Sequence, residues 1–359
     1  MRILAWPTQS PLNPYASLVY SNLGPRVQAD SWPGRLSRKY SVWHVHWPDS
    51  LLNIRNTPHA AFKVSGLFAA TDFMRARGTK LIWTMHNFAS HESLHPKLEA
   101  WFWRQFIPRV DGVISLSNAG LAMGLHRFPR LQQLPSTVIR HGHYRDQYPP
   151  PNRDARALLG IPQFAKVMMF FGAVRAYKNV DTLVKTFRSL PKDGTLLYVV
   201  GQPNSVPLSD FIKQEAAQDP RILLKFEWID SQDVSMYLSV ADLVVLPYRE
   251  VLNSGTALLA LSCNRPILVP DLGAMGELKL DFSTDWVRTY KGPLDASILE
   301  DALLWSAQSR PAVCPMPDKY CWDHIGKQTL DFYQHVMDSS PPARAPVEVV
   351  HQEEVVKPR

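Results

Sequence analysis

The sequence predicts an α/β protein of two domains, each a parallel sheet covered by helices. The chain has 359 residues, which is long for one ordinary domain and comfortable for two. Hydrophobic residues make up 45% of it and charged residues 20%, so each half can bury a core of its own. Along both halves, short apolar runs alternate with segments of helical period, as they do when helices wrap a parallel sheet.

Apolar runs give the strands of the two sheets. In the first half they are Arg2–Trp6, Val42–His46, Lys80–Met85, Gly112–Leu116 and Thr137–Arg140. In the second half they are Lys166–Phe171, Thr195–Val200, Ile222–Trp228, Leu243–Pro247 and Pro266–Val269. Segments such as Pro58–Arg77, Leu94–Ile107 and Val180–Leu190 have helical period and predict helices between the strands.

A stiff polar segment, Tyr-Pro-Pro-Pro-Asn-Arg-Asp at 148–154, predicts an interdomain linker. The first domain is therefore expected at 1–147 and the second at 155–321. A last helix at 322–338 is a candidate to cross back to the first domain. Residues 339–359 are rich in proline, valine and charge and lack periodicity, which predicts a disordered tail.

Composition excludes several classes of protein. The three cysteines Cys263, Cys314 and Cys321 form no C-x-x-C pair, which argues against a disulfide scaffold or a zinc site and suits a reducing compartment. The apolar start before Pro7 is too short for a signal peptide, and no apolar run is long enough for a bilayer span. The net charge of +7 comes without a basic run typical of nucleic-acid binding. It fits a mildly basic enzyme or a protein held on an anionic membrane.

One motif runs from a predicted strand into a helix at Phe-Phe-Gly-Ala-Val-Arg-Ala-Tyr-Lys-Asn, 170–179. Gly172 lets backbone approach a ligand, and the helix start offers free N–H groups to an anion. Arg175 and Lys178 add two cations, so the motif suits a diphosphate leaving group. Ordinary surface cations at a turn are the alternative interpretation.

A second anion-ready helix start follows the strand that ends in Leu-Pro-Tyr-Arg, 246–249. Asn253 or Ser254 is expected to cap a helix beginning near Gly255, where Ser254, Gly255 and Thr256 present N–H groups and hydroxyls to a phosphate. A plain helix cap without a ligand is the alternative. The nucleoside is expected over Gly201 and the segment Glu227-Trp228-Ile229, with Trp228 itself a core residue.

These motifs together resemble the landmarks of the GT-B glycosyltransferases. The runs are Gly-x-x-Arg-x-Tyr-Lys (172–178), Pro-Tyr-Arg-x4-Ser-Gly (247–255), Cys-Asn-Arg-Pro (263–266), Val-His-Trp-Pro-Asp (45–49), Thr-Met-His-Asn (84–87) and Ile-Arg-His-Gly-His-Tyr (139–144). The resemblance implies two Rossmann-like domains facing each other across a cleft. It also implies a hexosyltransferase without a cofactor whose donor, a nucleotide sugar, is bound by Gly172, Arg175, Lys178, Gly201, Tyr248, Asn253, Ser254, Gly255 and Thr256.

Within this superfamily the chain most resembles the bacterial exopolysaccharide group that contains xanthan-type GDP-mannose:glycolipid β-1,4-mannosyltransferases. That resemblance implies GDP-mannose as donor, a polyprenyl-diphosphate-linked oligosaccharide as acceptor and inversion at the anomeric carbon. It implies a cytoplasmic protein, peripheral on the inner face of the cell membrane, with no nucleic-acid partner.

One departure from the superfamily bears on the mechanism. Many retaining relatives carry two glutamates eight positions apart, which fall at Val251 and Leu259 here. Their loss favours inversion, although a retaining transferase using a UDP-sugar stays an alternative. A catalytically silent nucleotide- or sugar-binding protein is a further alternative, against which the intact phosphate-binding residues argue.

An inverting transfer needs a base that removes the proton of the acceptor hydroxyl. Strand ends of the first domain offer Asp49, His86 and Glu92 as candidates, of which Asp49 is preferred. A structural polar group with its hydrogen bonds satisfied is the alternative for each of the three. His141 and His143 are expected to line the cleft or contact donor phosphate. No metal is expected, because the chain lacks the Asp-x-Asp pair of the other nucleotide-sugar fold. Two aromatic and basic stretches, 32–40 and 101–106, are candidates for contact with an anionic leaflet. Core aromatic residues flanked by solvated cations are the alternative for either stretch.

Overall fold

The structure, a computed structural model, describes residues 1–8, 14–25, 27–31, 38–88, 94–148, 150–151 and 154–339. It divides into two compact units. Unit 1 is Met1–Gly142 together with the chain from Asp318 onwards, and unit 2 is His143–Pro317. Within the described residues, no helix is both long and apolar enough to cross a membrane.

The described part of the chain contains twelve strands in two six-stranded parallel sheets. Unit 1 holds β1 (Arg2–Trp6), β2 (Gln28–Ser31), β3 (Val42–Val45), β4 (Lys80–Met85), β5 (Gly112–Ser115) and β6 (Ser136–Val138). Unit 2 holds β7 (Lys166–Phe171), β8 (Thr195–Val200), β9 (Ile222–Lys225), β10 (Leu243–Val245), β11 (Ile267–Pro270) and β12 (Val287–Tyr290). The ten predicted strands are confirmed, four of them with the predicted bounds.

Helices connect these strands. They are α1 (Tyr15–Ser21), α2 (Thr57–Ala76), α3 (Pro96–Phe106), α4 (Asn118–Arg127), α5 (Ala155–Leu158), α6 (Val180–Arg188), α7 (Val206–Ala216), α8 (Val234–Ser239), α9 (Gly255–Ser262), α10 (Gly273–Phe282), α11 (Ala296–Ser306) and α12 (Trp322–Asp338). In α6 the apolar side chains at helical spacing are buried against the sheet, among them Leu183, Val184 and Phe187.

In unit 1 the strand order is β2-β1-β3-β4-β5-β6, with every neighbouring pair parallel. Since β1 lies between β2 and β3, the chain winds in opposite directions from β1. A crevice at the carboxyl ends of β1 and β3 is where such sheets bind ligands. The segments that follow β3 and β4 therefore emerge at the edge of the sheet where chemistry is expected.

The last helix, α12, packs onto the sheet of unit 1. Ile325, Phe332, Tyr333 and Val336 are buried in one apolar cluster with residues of β1, β3, β4 and β5. A Cβ atom on Gly326 would lie 1.9 Å from the carbonyl oxygen of Asn22, so only glycine fits this close approach.

Unit 2 has the strand order β12-β11-β10-β7-β8-β9, again with parallel neighbours. This is the doubly wound order of nucleotide-binding sheets, with its switch point between β7 and β10. The two predicted phosphate-binding motifs follow β7 and β10, so the topology brings them together.

The unit boundary differs from the predicted one at 147. The structure groups the segment from His143 with unit 2, because the backbone N–H of Tyr144 donates to the hydroxyl of Ser262 (2.9 Å). Arg145 also donates to the side chain of Asn264 (3.1 Å). The predicted tail lies outside the described residues, apart from Ser339.

Candidate functional site

The carboxyl ends of β7 and β10 bring a glycine, a lysine and a helix start into contact. Gly172 follows β7 with φ of +112°, a conformation that favours glycine. A Cβ atom there would lie 3.2 Å from the Thr256 hydroxyl and 3.5 Å from the Lys178 ammonium. The predicted donor-binding residues Gly172, Lys178 and Thr256 therefore lie close together, which brings backbone, a cation and a hydroxyl to one place.

Lys178 is buried there without an anionic partner. It is 9% exposed, and its ammonium makes no hydrogen bond or ion pair with any described residue. It lies over the rings of Phe170 (5.9 Å) and Tyr248 (5.4 Å). Burial lowers the pKa of Lys178; among the smaller effects, Tyr177 raises it and the charge of Arg175 lowers it. A buried cation without a counter-ion is costly, so its site is suited to receive an anion.

The start of α9 contributes to the same surface. The Ser254 hydroxyl accepts from the N–H of Ala257 (3.2 Å), so Ser254 is the helix cap, as one interpretation of the sequence had it. The N–H groups of Gly255 and Thr256 belong to the first turn, where the helix dipole favours negative charge. Burial raises the pKa of Tyr248 to about 12, so its phenol stays neutral and can donate a hydrogen bond.

Unpaired polar atoms mark the same place. Both side-chain amide atoms of Asn253 are buried without a hydrogen-bond partner in the described structure, as is the Oδ1 atom of Asn179. Buried amide groups are nearly always paired in folded proteins. Asn179 directly precedes α6 and Asn253 lies two residues before α9, so each adjoins a helix start, which is consistent with a polar ligand that would supply the partners.

Sequence reasoning missed the residues that join the two loops. The N–H of Arg249 donates to the carbonyl oxygen of Tyr177 (2.8 Å), and its guanidinium binds the Asp181 carboxylate (2.9 Å). Asn179 holds a left-handed conformation (φ +59°) that turns the chain into α6. Asparagine directly after the Lys178 motif was the available signal, since it is among the residues that tolerate this conformation.

Gly201 lies directly against the backbone of Gly172. Its φ is +140°, and a Cβ atom there would lie 2.1 Å from the carbonyl oxygen of Gly172. The predicted core position of Trp228 is wrong, because the residue lies in a loop beyond the end of β9 and is 51% exposed. Leu259, one of the two positions that hold glutamate in retaining relatives, is buried in α9.

In unit 1 the candidate base Asp49 lies in a short 3-10 turn, Pro48–Asn53, after β3. It is 3% exposed, and the side-chain amide of Asn87 donates to it weakly (3.4 Å). Burial raises the pKa of Asp49 to about 7. Such a carboxyl exchanges its proton near neutral pH, as a general base must. Glu92, the third candidate, lies outside the described residues.

His86, the second candidate, follows β4 and stacks on Trp47 (ring centroids 4.3 Å apart). Its Nε2 atom lies 3.2 Å from Nδ1 of His46, whose Nε2 is bonded to the Tyr20 hydroxyl (2.6 Å). His86 is partly exposed, whereas Asp49 is buried. Accessibility therefore favours His86 as the base, and the raised pKa of Asp49 favours Asp49.

The buried histidines continue beyond this pair. Nδ1 of His44 is hydrogen-bonded to the Tyr333 hydroxyl (2.6 Å). Its Nε2 is hydrogen-bonded to the Thr84 hydroxyl (2.7 Å). His141 bonds through Nδ1 to the carbonyl oxygen of Gly142 (2.8 Å) and lies in unit 1, whereas His143 belongs to unit 2. Burial lowers the pKa of His44 to about 3 and that of His141 to about 4, and it lowers those of His46 and His86 well below 6.5.

Because of these four histidines, we expect unit 1 to lose stability as the pH falls. Because their folded pKa values are depressed, the unfolded chain binds more protons below about pH 6.5, and each histidine costs about 1.4 kcal/mol of stability per pH unit there. Asp49 opposes this, since its raised pKa favours the folded state as pH falls through about 7. Because four histidines destabilise the folded state in acid and one carboxyl stabilises it, the free energy of unfolding falls on balance. Urea unfolding at about pH 7.5 and 5.5 is expected to give a clearly lower free energy of unfolding in acid.

The matched variants are His46→Gln, which is expected to flatten this dependence, and His59→Gln, an exposed histidine, which is expected to leave it unchanged. Equal stability of the unmodified protein at both pH values would contradict the assignment of four neutral histidines.

The aromatic and basic stretch 101–106 is divided between core and surface, with Trp101 and Arg104 exposed. Phe102, Trp103 and Phe106 are buried in the apolar cluster of unit 1, and only Trp101 among its aromatic residues is exposed. Most of the stretch 32–40 lies outside the described residues. Among the residues that are described, no group of three or more His, Cys, Asp or Glu is arranged to hold a metal ion.

Comparison with known proteins finds sugar-transferring enzymes among the proteins similar to this chain. Residues 165–294 match the family described as "Glycosyl transferases group 1". A GDP-mannose:glycolipid 4-beta-D-mannosyltransferase of Xanthomonas campestris is 29% identical over 88% of this chain and 86% of its own length. A lipopolysaccharide core biosynthesis mannosyltransferase of Rhizobium meliloti is 28% identical over 49% of this chain and 50% of its own length.

Two solved structures show the same fold. Sucrose-phosphate synthase from Thermosynechococcus elongatus superposes with a TM-score of 0.67 at 16% identity, over 94% of this chain and 99% of that one. The Anabaena protein HepE in complex with UDP-glucose superposes with a TM-score of 0.61 at 15% identity, over 94% and 98%. At these identities the likeness concerns the fold alone.

Proposed function

We propose that this chain, which belongs to the group 1 glycosyltransferases of the GT-B fold, transfers mannose from GDP-mannose to a lipid-linked oligosaccharide with inversion. The observation that carries the proposal is the buried, unpaired Lys178 beside Gly172 and the start of α9. The name of the Xanthomonas relative, a GDP-mannose:glycolipid mannosyltransferase, supports the choice of donor and acceptor class.

The residues of unit 2 suit the departure of a nucleoside diphosphate. When the bond from the sugar to the β-phosphate breaks, negative charge grows on the phosphate oxygens. That charge would be stabilised by the cations Lys178 and Arg175 and by the N–H groups at the start of α9. Positively charged and N–H groups that are already in place stabilise a transition state strongly. The Asn253 amide is free to bind a hydroxyl or phosphate oxygen of the donor.

The base of the proposed displacement is Asp49 of unit 1. Its carboxylate takes the proton of the acceptor hydroxyl while the oxygen forms a bond to the anomeric carbon. The bond from that carbon to the diphosphate breaks on the opposite face, and the diphosphate leaves with the electron pair. An α-linked donor thus gives a β-linked product. The absence of carboxylates at positions 251 and 259 supports inversion over the retaining alternative.

We further propose a role in exopolysaccharide biosynthesis, at the cytoplasmic face of the cell membrane. The acceptor would be a polyprenyl-diphosphate-linked oligosaccharide, which stays in the membrane while its sugar end is extended. The glycolipid named for the relative and the net charge of +7 support a peripheral position on an anionic leaflet.

Thermal-shift measurements against GDP, UDP, CMP and TDP test the donor. GDP is expected to stabilise the protein, by about 2.7 kcal/mol at a concentration of 100 times its dissociation constant. The response is expected to be lost in Lys178→Met and kept in Lys213→Ala, which removes an exposed lysine of the same unit. A preference for UDP would exclude GDP-mannose as donor, and no response to any nucleotide would contradict the donor site. The anomeric configuration of the product by NMR separates inversion from retention.

A further inference from the structure

The outer face of α2 is apolar although no described part of the chain covers it. The inner face is buried through Val64, Leu67, Phe68, Thr71 and Met74. On the opposite side Phe62 is 73% exposed and Phe73 is 49% exposed. Gly66 and Ala69 are exposed between them, so the four residues follow one another at helical spacing. They form an exposed stripe about 16 Å long.

The charges beside this stripe are positive. Lys63 is exposed on one flank, and the Arg77 guanidinium lies over the Phe73 ring (5.3 Å). Asp72, the one acidic residue of α2, is bound by Arg109 (2.7 and 2.8 Å), so its charge is compensated. The flank therefore presents net positive charge.

Helix α3 extends the same arrangement along the other flank. Trp101 is 37% exposed and packs edge-on against Phe68 of α2 (5.4 Å). Lys97 and Arg104 are exposed one turn away from it on either side. We call Phe62, Phe73 and Trp101, with Lys63, Lys97 and Arg104, the α2–α3 face.

We infer that the α2–α3 face docks on an anionic lipid surface. Exposed aromatic side chains enter the boundary between headgroups and acyl chains, while lysine and arginine extend to the lipid phosphates. The lack of an unpaired acidic group on α2 fits a partner that is uniformly negative better than a protein surface of mixed charge. The inference rests on the proposed function in that a lipid-linked acceptor requires such docking.

Sedimentation of the full chain with vesicles tests this inference. The protein is expected to bind vesicles of phosphatidylcholine with phosphatidylglycerol, more weakly at high salt, and to bind phosphatidylcholine alone poorly. Replacing both Phe62 and Phe73 by serine is expected to weaken binding at least about tenfold. Lys63→Glu is expected to weaken it more than the roughly fivefold that one cation near the surface contributes.

Two matched controls lie in unit 2. Phe164 is 91% exposed, so Phe164→Ser removes a phenylalanine of similar exposure, and Lys213→Glu makes the same charge change. Both are expected to bind vesicles like the unmodified protein. Wild-type binding by the double phenylalanine variant would overturn the inference. So would a dimer in solution that the same variant converts to a monomer, because the face would then be an interface between copies.

The nucleotide response separates this inference from the proposed function. The double phenylalanine variant is expected to keep the thermal shift with GDP. If the unmodified protein binds anionic vesicles through this face but responds to no nucleotide, the proposed function fails and the docking surface stands. If GDP binds and vesicles do not, the docking inference fails alone.

Discussion

Lys178→Met is expected to lower kcat/KM for sugar transfer by about 10²–10³ while the protein unfolds at the same or a higher temperature. The loss of activity follows because a buried cation beside a leaving diphosphate stabilises charge that grows only in the transition state. The gain or neutrality in stability follows because methionine has a similar shape without the charge. Lys178 makes no ion pair with a described residue that its removal would break.

This pair of outcomes distinguishes a donor-binding lysine from a structural one. A lysine that held the fold together would lower both the activity and the melting temperature when replaced. Lys213→Ala, on the exposed side of α7, is expected to change neither quantity. A Lys178→Met variant with unchanged kcat/KM would contradict the proposed diphosphate site.

The sequence sufficed for the sheets because their strands are apolar runs that are buried on both faces. β1, β4, β7 and β8 occur at their predicted bounds for this reason. β2 was missed because its residues Gln-Ala-Asp-Ser are polar and mostly exposed, as suits an edge strand that pairs with β1 alone. β12, an edge strand of the unit 2 sheet, has one arginine and one threonine among its four residues, and it was missed likewise.

Within the site, the sequence predicted residue types and the topology explained their meeting. Gly172 and Thr256 lie far apart in the chain, and they touch because β7 and β10 are neighbours at the switch point of the sheet. Whether a charged side chain is buried depends on its tertiary neighbours, so the desolvation of Lys178 by Phe170 and Tyr248 did not follow from its motif.

Two features could not be predicted from the local sequence pattern. The bond of His44 to Tyr333 joins residues 289 positions apart, and it forms only because α12 packs on the sheet of unit 1. The exposed stripe on α2 was hidden because the helix is apolar on both faces, so its sequence does not tell the inner face from the outer one.

Asp49→Asn is expected to lower kcat by about 10²–10⁴, the usual contribution of a general base. For the unmodified enzyme kcat is expected to rise with pH through about 7, because the Asp49 pKa is raised to about 7 and only its ionised form accepts a proton. The variant is expected to lose this dependence. Its stability at about pH 8 is expected to stay or rise, since asparagine removes a buried carboxylate whose ionisation costs folding free energy above its folded pKa.

The pH profile of kcat decides between Asp49 and His86 as the base, because the acid limb, where kcat falls as the pH is lowered, lies at the pKa of the base. Burial holds the pKa of His86 well below 6.5, so a histidine base would keep kcat constant down through neutral pH and lose it only in more acidic solution. A limb near 7 that survives in His86→Gln and vanishes in Asp49→Asn assigns the base to the carboxyl. A limb that vanishes in His86→Gln instead assigns the base to the histidine. Asp49 would then act through its neighbour Asn87, which adjoins His86 in the chain.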